Sequence, residues 1–243
     1  NFTIKNFCDG IKFSNSITNS VLDNTFTDNY WHGVNISTSS NDVISNNVFT
    51  DNGNEGSPTC SSCNYHAIYL HGSDGFSITG NTISSTSTAP WAESYACQKH
   101  DKGISVSLGG NGDSLIENNN ISNMCQAMVI SGHTSSIIKI KNNIINSNYH
   151  GIHCTGCEIF SNTITNNEDY GISLGGNNSI HDNTISDNGL GLTTGGYNNL
   201  IFRNTFSDND KGVSANSYNT YISENNFLGN SVQAPGSQYY SGI

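Results

Sequence analysis

Apolar residues occur along this chain in short segments that are separated by polar turns. In stretches such as 200–206 (LIFRNTF), we expect alternate apolar residues to point inward. Alternation over about four to eight residues is typical of a half-buried β-strand, not of a helix. The pattern therefore predicts many short strands. No apolar run approaches the length that spans a bilayer, so we expect no transmembrane segment.

A polar signature, Asn-x-(Ile/Phe)-x-x-Asn, repeats along the chain. Clear copies begin at Asn24, Asn47, Asn183, Asn204 and Asn225. A second signature, a small residue followed by an aliphatic one, comes after each copy. Its occurrences are Gly10-Ile11, Gly33-Val34, Ala67-Ile68, Gly103-Ile104, Ala127-Met128, Gly151-Ile152, Gly171-Ile172, Gly191-Leu192 and Gly212-Val213. They are spaced by 23, 34, 36, 24, 24, 20, 20 and 21 residues.

A repeat of this length with short alternating segments is typical of a solenoid in which each repeat forms one coil. We therefore predict an all-β, single-stranded parallel β-helix of about nine to ten coils, built as one domain over residues 1–243. The aliphatic residues of the second signature, from Ile11 to Val213, should form one buried stack. Asn residues at equivalent turns should form ladders, in which each side-chain amide bonds to the coils above and below.

The two signatures resemble those of the right-handed parallel β-helix repeat family of the pectate-lyase-like superfamily, over residues 1 to about 232. The resemblance implies a right-handed solenoid. It does not imply one function, because the family includes polysaccharide lyases, epimerases, hydrolases, phage spikes and non-enzymatic surface proteins.

Composition and charge exclude several classes of protein. Ile is the most abundant aliphatic residue, and β-branched residues favour strands, so a helical bundle is excluded. The net charge is −11, and Arg203 is the single arginine among eight Lys and Arg residues. Nucleic-acid binding requires clustered Lys and Arg against the phosphates, so we expect no nucleic-acid partner.

The scarcity of Lys and the abundance of Asn indicate a secreted protein, extracellular or at the cell surface. The chain starts at Asn1 without a leader, so we expect that any signal peptide has been removed. Four Asn-x-Ser/Thr sites are possible glycosylation sites. They are Asn1, Asn35, Asn120 and Asn177.

Two coils are longer than the others, with insertions at about 53–65 and 87–101. Both insertions fall between the Asn signature and the next small-aliphatic step, so we expect them side by side at one corner. Long loops on a rigid scaffold commonly carry function. Trp91, Tyr95 and Asp101 are candidate binding residues there. Instead of a functional site, the two insertions could form a lid or a contact surface.

The insertions also hold four possible metal ligands, in the pairs Cys60-x-x-Cys63 and Cys97-x-x-His100. These residue types and pair spacings fit a closed zinc site. A disulfide from Cys60 or Cys63 to Cys97 is the alternative in an oxidising compartment, and a third possibility is neither. A separate pair, Cys154-x-x-Cys157, is expected to be core packing or a local bridge.

Polar side chains gather on the strand after each insertion. The residue that precedes each small-aliphatic step stands at one corner of the coil. In chain order these residues are Asp9, His32, His66, Lys102, Gln126, His150, Tyr170, Leu190 and Lys211. We expect His32, His66, His150 and His153 to contact a glycan or another partner.

The stretch from His66 to His71 resembles the active strand of mannuronan C5-epimerases, which reads aromatic-Gly-aromatic-Asp-Pro-His. His71 matches the family His, whereas His66 takes the Tyr position, Tyr69 the Asp position and Leu70 the Pro position. The resemblance implies chemistry on a uronic acid, with His71 as base and Tyr69 as acid. Lys102, one coil further, would neutralise the carboxylate.

The repeat phase at the two ends of the chain nearly matches. The chain begins about seven residues after a step and finishes with Ser241-Gly242-Ile243, which resembles the start of another step. We therefore expect either copies that stack end to end or a fragment of a longer solenoid. Stacked copies would make head-to-tail contacts, which can form filaments. The last segment, Ser231 to Ile243, should leave backbone N–H and C=O groups without a partner in the same chain.

The sequence leaves two functional classes open. The first is an extracellular structural or glycan-binding β-solenoid, with itself and a polysaccharide surface as partners. The second is a carbohydrate-active enzyme at the insertion corner, a lyase or epimerase before a hydrolase. A neutral-glycan hydrolase would need two carboxylates, for which Asp74, Glu93 and Asp101 are candidates.

Overall fold

A computed structural model describes residues 1–53, 65–86, 102–110, 112–132 and 137–231, and the backbone of 239–240. The described residues form three long sheets. The strands of the first sheet are β1 (Thr3–Lys5), β4 (Thr25–Thr27), β7 (Val48–Thr50), β10 (Thr82–Ser84), β13 (Asn120–Ser122), β16 (Ile144–Asn146), β19 (Thr163–Thr165), β22 (Thr184–Ser186), β25 (Thr205–Ser207) and β28 (Asn226–Leu228).

The second sheet carries the longest strands. They are β2 (Asp9–Ser14), β5 (His32–Ser37), β8 (His66–Ser73), β11 (Lys102–Leu108), β14 (Gln126–Ser131), β17 (His150–Thr155), β20 (Tyr170–Leu174), β23 (Leu190–Thr194), β26 (Lys211–Ala215) and β29 (Tyr239–Tyr240). The third sheet consists of β3 (Ser20–Leu22), β6 (Val43–Ser45), β9 (Ser77–Thr79), β12 (Ser114–Glu117), β15 (Ile138–Lys141), β18 (Cys157–Phe160), β21 (Ser179–His181), β24 (Leu200–Phe202) and β27 (Tyr221–Ser223).

The chain visits the three sheets in turn, so successive strands of one sheet come from successive coils. The strand pairs are parallel except for β26 and β29, and the described residues contain no helix. The predicted all-β parallel solenoid is confirmed. The nine strands of the third sheet enclose eight complete turns, so the expected nine to ten coils were slightly too many.

The core is a set of apolar stacks that run along the solenoid. The predicted aliphatic stack pairs in register from Ile11 against Val34 to Leu192 against Val213. Its members are buried except Ile11, which is partly buried in the first coil. The first and third sheets each add a stack of central residues, such as Phe26 on Phe49 with ring centroids 4.8 Å apart. The predicted register is therefore confirmed.

Asparagine ladders connect the coils at the turns. The main ladder stands at the start of the first-sheet strands and contains Asn24, Asn47, Asn81, Asn119, Asn143, Asn162, Asn183, Asn204 and Asn225. A second ladder includes Asn148, Asn167, Asn188, Asn209 and Asn230. The residue before each ladder Asn turns the chain with a positive φ, for example 56° at Asp182 and 57° at Asp187. Asn, Asp and Gly tolerate this conformation best, which explains why they are abundant.

Most of the two predicted insertions lies outside the described residues. The described residues stop at Gly53 and at Thr86, and they resume at Tyr65 and at Lys102. The strands that follow, β8 and β11, are neighbours in the second sheet, with His66 opposite Lys102. The residues that follow the two insertions therefore begin their strands at the same corner of two adjacent coils.

The second sheet ends with a strand that the sequence did not predict. The residues after Ser231 were expected to leave their backbone groups without a partner in the same chain. Instead, β29 pairs antiparallel with β26, with Tyr240 opposite Val213. That expectation was wrong for these two residues, because the chain folds back over the last parallel strand. End-to-end contact between copies stays a prediction.

No helix in the described ranges is long and apolar enough to cross a membrane.

Candidate functional site

The second sheet brings the sequence-predicted candidates together in rows that run along the solenoid. One row places His32, His66 and Lys102 opposite one another on β5, β8 and β11. A second row contains Tyr69, and a third contains His71. Neighbouring parallel strands are about 4.8 Å apart, so side chains in one row are in contact range.

Four aromatic rings form a compact group here, which we call the His66 cluster: His32, His66, Tyr69, His71 and the adjacent Lys102. The ring centroids of His66 and Tyr69 are 4.7 Å apart with an interplanar angle of 15°. His32 lies 5.1 Å from both of these rings. The ring of His71 lies 6.2 Å from that of Tyr69. The predicted catalytic residues therefore lie on two adjacent strands, with Tyr69 and His71 on β8 and Lys102 on β11.

Burial sets the charge state of this cluster. Burial lowers the pKa of His66 well below its usual value, and the nearby His32 and Lys102 lower it further. Burial also lowers the pKa of His32, although the Asp9 carboxylate opposes the shift. Both imidazoles are therefore neutral near pH 7. Burial lowers the pKa of the Lys102 ammonium as well.

A second group of rings lies further along the same sheet; we call it the His150 cluster: Tyr149, His150, Asp169, Tyr170 and Gln126. The rings of His150 and Tyr170 stack with centroids 4.4 Å apart, and Tyr149 meets His150 edge-on at 4.4 Å. Nδ1 of His150 lies 3.2 Å from Oδ2 of Asp169. The Gln126 side chain opposes the rise in the pKa of Tyr170.

The His150 cluster also consists of groups that are neutral near pH 7, apart from its carboxylate. Burial raises the pKa of Tyr170 to about 12, and Asp169 adds to the shift. Burial lowers the pKa of His150, and the Asp169 carboxylate opposes this. On the adjacent row, Nδ1 of His153 lies 3.3 Å from the Ser173 hydroxyl oxygen.

Sequence reasoning found His150 and His153 as binding candidates but missed Asp169 and Tyr149. Both missed residues lie in the turn just before their strand, where the repeat signature assigns no direction to a side chain. The signal that could have found them is that each directly precedes a residue of the corner row, His150 or Tyr170.

The loop candidates cannot be placed by this structure. They are Trp91, Tyr95, Asp101, Cys60, Cys63, Cys97 and His100, and all lie outside the described residues. The zinc site and its disulfide alternative therefore stay predictions. In the described part of the chain, no group of three His, Cys, Asp or Glu residues is placed to hold a metal ion.

The four other cysteines have defined states. Cys154 and Cys157 form a disulfide, which is the local bridge that was one of the two expectations for this pair. Cys125 is also disulfide-bonded, whereas Cys8 is an exposed free thiol.

The four possible glycosylation sites differ in exposure. Asn1, Asn120 and Asn177 are exposed, whereas Asn35 is half-buried on β5 and its Nδ2 lies 3.3 Å from the Asp9 carboxylate. Glycosylation at these sites stays a prediction.

A third ring stack lies on the outer face of the third sheet. His181 stacks between Phe160 and Phe202, at 5.1 and 4.9 Å. Both nitrogens of its ring face carboxylates, with Asp182 at 2.8 Å and Glu158 at 3.4 Å. Arg203 pairs with Asp182 and covers the Phe202 ring. Because the polar groups of this stack pair with one another, we interpret it as a structural contact between neighbouring coils on the surface.

The fold and the two ring clusters define the class of protein: a parallel β-helix with Asn ladders and a polar, ring-lined outer face. This chain belongs to the right-handed β-helix family. The family model described as "Right handed beta helix region" matches residues 57–180 and 154–242, which confirms the predicted family and its handedness. A model described as "Periplasmic copper-binding protein (NosD)" matches residues 1–96.

Two crystal structures of mutants of the periplasmic alginate epimerase AlgG, a double mutant and a single mutant, are similar to this chain. Each is 18% identical, with a TM-score of 0.61, over 86% of this chain and 50% of the solved chain. At this identity the likeness shows the fold alone, and the chain spans half the length of those proteins. Among curated proteins, none matches the sequence.

Proposed function

We propose that this chain is an extracellular or periplasmic β-solenoid that binds a glycan on the outer face of its second sheet. The observation that carries the proposal is the His66 cluster, in which four stacked rings lie beside one ammonium group.

Stacking decides which part of each ring a ligand can reach. Buried His66 and partly buried Tyr69 cover each other's faces, so the Tyr69 hydroxyl and the exposed ring of His71 are the parts left for a ligand. A neutral imidazole has one donor and one acceptor nitrogen, and a phenol hydroxyl can do both. Sugar hydroxyls also donate and accept, so the two sets of groups are complementary.

Charge limits the kind of glycan. Lys102 could pair with one carboxylate, but the chain as a whole carries a net charge of −11. Such a field opposes the approach of a densely charged polyuronate. We therefore expect a glycan that is neutral or carries only some acidic residues. Two solved structures that are similar to this chain are of mutants of an alginate epimerase. This likeness is consistent with a glycan partner.

Isothermal titration calorimetry with trisaccharides of β-1,4-linked mannose and mannuronate would test the proposal. Tyr69→Phe removes the hydroxyl and keeps the stacked ring. It should weaken binding about three- to tenfold, which is the effect of one lost hydrogen bond. Tyr221→Phe is the matched control, because Tyr221 is 70% exposed on the third sheet. Equal affinity of the two variants, or no binding by the wild type, would contradict the proposal.

A second candidate function is chemistry on a uronic acid, and one observation favours it. Tyr69 and His71 lie on the same strand, with Lys102 on the next. In an epimerisation, His71 would remove the C5 proton, Lys102 would stabilise the carboxylate, and Tyr69 would return a proton from the other side of the ring. The original C5–H bond breaks as an N–H bond forms on His71, and the Tyr69 O–H bond breaks as the new C5–H bond forms. Proton exchange with water then restores both side chains.

Proton NMR of polymannuronate incubated with the protein would separate the two functions. An enzyme should convert mannuronate signals to guluronate signals, and His71→Ala should stop conversion while leaving the fold intact. If the wild type binds the glycan but leaves it unchanged, the binding function alone remains.

A further inference from the structure

The His150 cluster lies on the same face of the solenoid as the His66 cluster. Three strand steps, from β8 through β11 and β14 to β17, separate His66 from His150 in one row. With strands about 4.8 Å apart, the two residues are about 14 Å apart along the solenoid axis.

Small or flexible polar side chains cover most of the sheet between the clusters. Ser105 and Ser107 follow the buried Ile104 on β11, and Val129 and Ser131 stand on β14. Rings are absent from these positions of the described strands. We call this stretch of the outer face, with a ring cluster at each end and small side chains between them, the groove.

The two ends of this groove carry opposite charge. Lys102 is at the first end, next to neutral imidazoles. At the second end, Asp169 and Glu168 are exposed in the turn before β20. Their field reaches the cluster, because both carboxylates add to the effect of burial in raising the pKa of Tyr149.

Hydrogen-bonding groups at the second end are neutral and already oriented. Tyr170 stacks on His150, and Oδ2 of Asp169 lies 3.2 Å from Nδ1 of the His150 imidazole. An uncharged sugar can exchange hydrogen bonds with these groups. A uronate would bring its carboxylate close to Asp169, where like charges repel.

We propose that the His150 cluster is a second subsite of the same glycan groove, which accepts an uncharged sugar residue and disfavours an acidic one. This inference rests on the proposed glycan-binding function. It adds that the glycan runs along the solenoid axis, and that acidic residues are tolerated only near Lys102.

Matched hexasaccharides of β-1,4-linked mannose and mannuronate, which differ only in the C6 group, are suitable probes for calorimetry. Asp169→Asn should strengthen binding of the mannuronate hexasaccharide about three- to tenfold and change that of the mannose hexasaccharide little. Asp23→Asn, in the turn between β3 and β4 at another corner, makes the same change in net charge and should leave both affinities unchanged.

Tyr170→Phe tests direct contact. It keeps the ring stacked on His150 and should weaken the mannose hexasaccharide about three- to tenfold, while trisaccharides that fill only the first end bind as before. Thermal melting of each variant checks the fold.

The outcomes separate the inference from the function beneath it. If the wild type binds the trisaccharides and hexasaccharides equally, and Asp169→Asn and Tyr170→Phe change nothing, the second subsite is refuted while glycan binding stands. If the wild type binds none of the four probes, both proposals fail. If Asp23→Asn acts like Asp169→Asn, the effect comes from net charge and the subsite is again refuted.

Discussion

At the scale of single residues, the ladder asparagines connect neighbouring coils with hydrogen bonds inside the solenoid. Asn162 is an example: its Nδ2 donates to the carbonyl oxygens of Ile140 and Phe160 at 2.8 and 3.0 Å, and to Oδ1 of Asn183 at 3.0 Å. Its own Oδ1 accepts from the backbone and side-chain nitrogens of Asn143 at 2.9 and 3.0 Å. Each Asn therefore satisfies backbone groups of its own turn and of the coil before it.

Asn162→Ala should destabilise the protein by about 2–4 kcal/mol, because buried donors and acceptors lose their partners. Urea unfolding followed by circular dichroism would measure the change. Asn120→Ala is the matched control, since Asn120 is exposed on β13 and outside the ladders. A loss of less than about 1 kcal/mol at Asn162 would mean that the ladder contributes little.

The buried histidines predict how stability depends on pH. The folded-state pKa of His66 lies well below the ordinary value of 6.5, and burial is the largest cause. Below pH 6.5, the unfolded state therefore binds more protons than the folded state. The free energy of unfolding should fall as pH decreases from 6.5 toward the folded-state pKa.

Urea unfolding at about pH 7.5 and pH 5.5 would show this loss, and His66→Gln should reduce it. His32, His150 and His153 shift in the same direction, so part of the loss should persist in the variant. Wild-type stability that is unchanged or higher at the lower pH would contradict the assignment of His66 as a buried neutral group.

At the scale of elements, successive coils approach so closely that the small residue before each buried aliphatic is required. A Cβ atom added at Gly33 would lie 2.7 Å from the carbonyl oxygen of Ala67 and 2.7 Å from the Phe49 ring. Alanine occupies this position at Ala67 and Ala127, and the first-sheet strand that follows in each of these coils has Ile at its centre instead of Phe.

Gly33→Ala should therefore cost about 1–3 kcal/mol, the range for overpacking a core. Gly195→Ala is the matched control, because the nearest atom to its added Cβ is the Leu174 carbonyl oxygen at 3.8 Å. Melting temperatures of the two variants would test the difference. Equal melting temperatures would show that neighbouring coils can separate at little cost.

At the scale of the whole molecule, a solenoid leaves strand edges at its ends, and such edges pair readily with other chains. In the second sheet, β29 covers β26 by antiparallel pairing. Because an antiparallel strand interrupts the parallel repeat, another copy cannot continue this sheet in the same register.

Deleting residues 232–243 should expose the edge of β26 and increase concentration-dependent association. Sedimentation velocity of the full chain and of the shortened chain would compare them. Equal association of both would indicate that β29 does not protect the edge. Filaments formed by the full chain would instead support the end-to-end contact expected from the repeat phase.

The sequence by itself determined the fold, because the fold is periodic. The spacing of the steps from Gly10-Ile11 to Gly212-Val213 identified one coil per repeat, and the ladder asparagines recur with it. A residue's position in the repeat determines whether it is buried and which residue it stacks on. The aliphatic stack, the ladders and the row that holds His32, His66 and Lys102 were therefore predictable.

Only the tertiary structure decided the features that depart from the repeat. Asp169 contacts His150 of the preceding coil from a turn, and a turn side chain has no direction that the spacing sets. The reversal at β29 depends on a contact made once in the chain. Neutral imidazoles at His32 and His66 depend on burial by neighbouring coils. Periodic contacts follow from sequence spacing, whereas single contacts, burial and charge state follow from the three-dimensional arrangement.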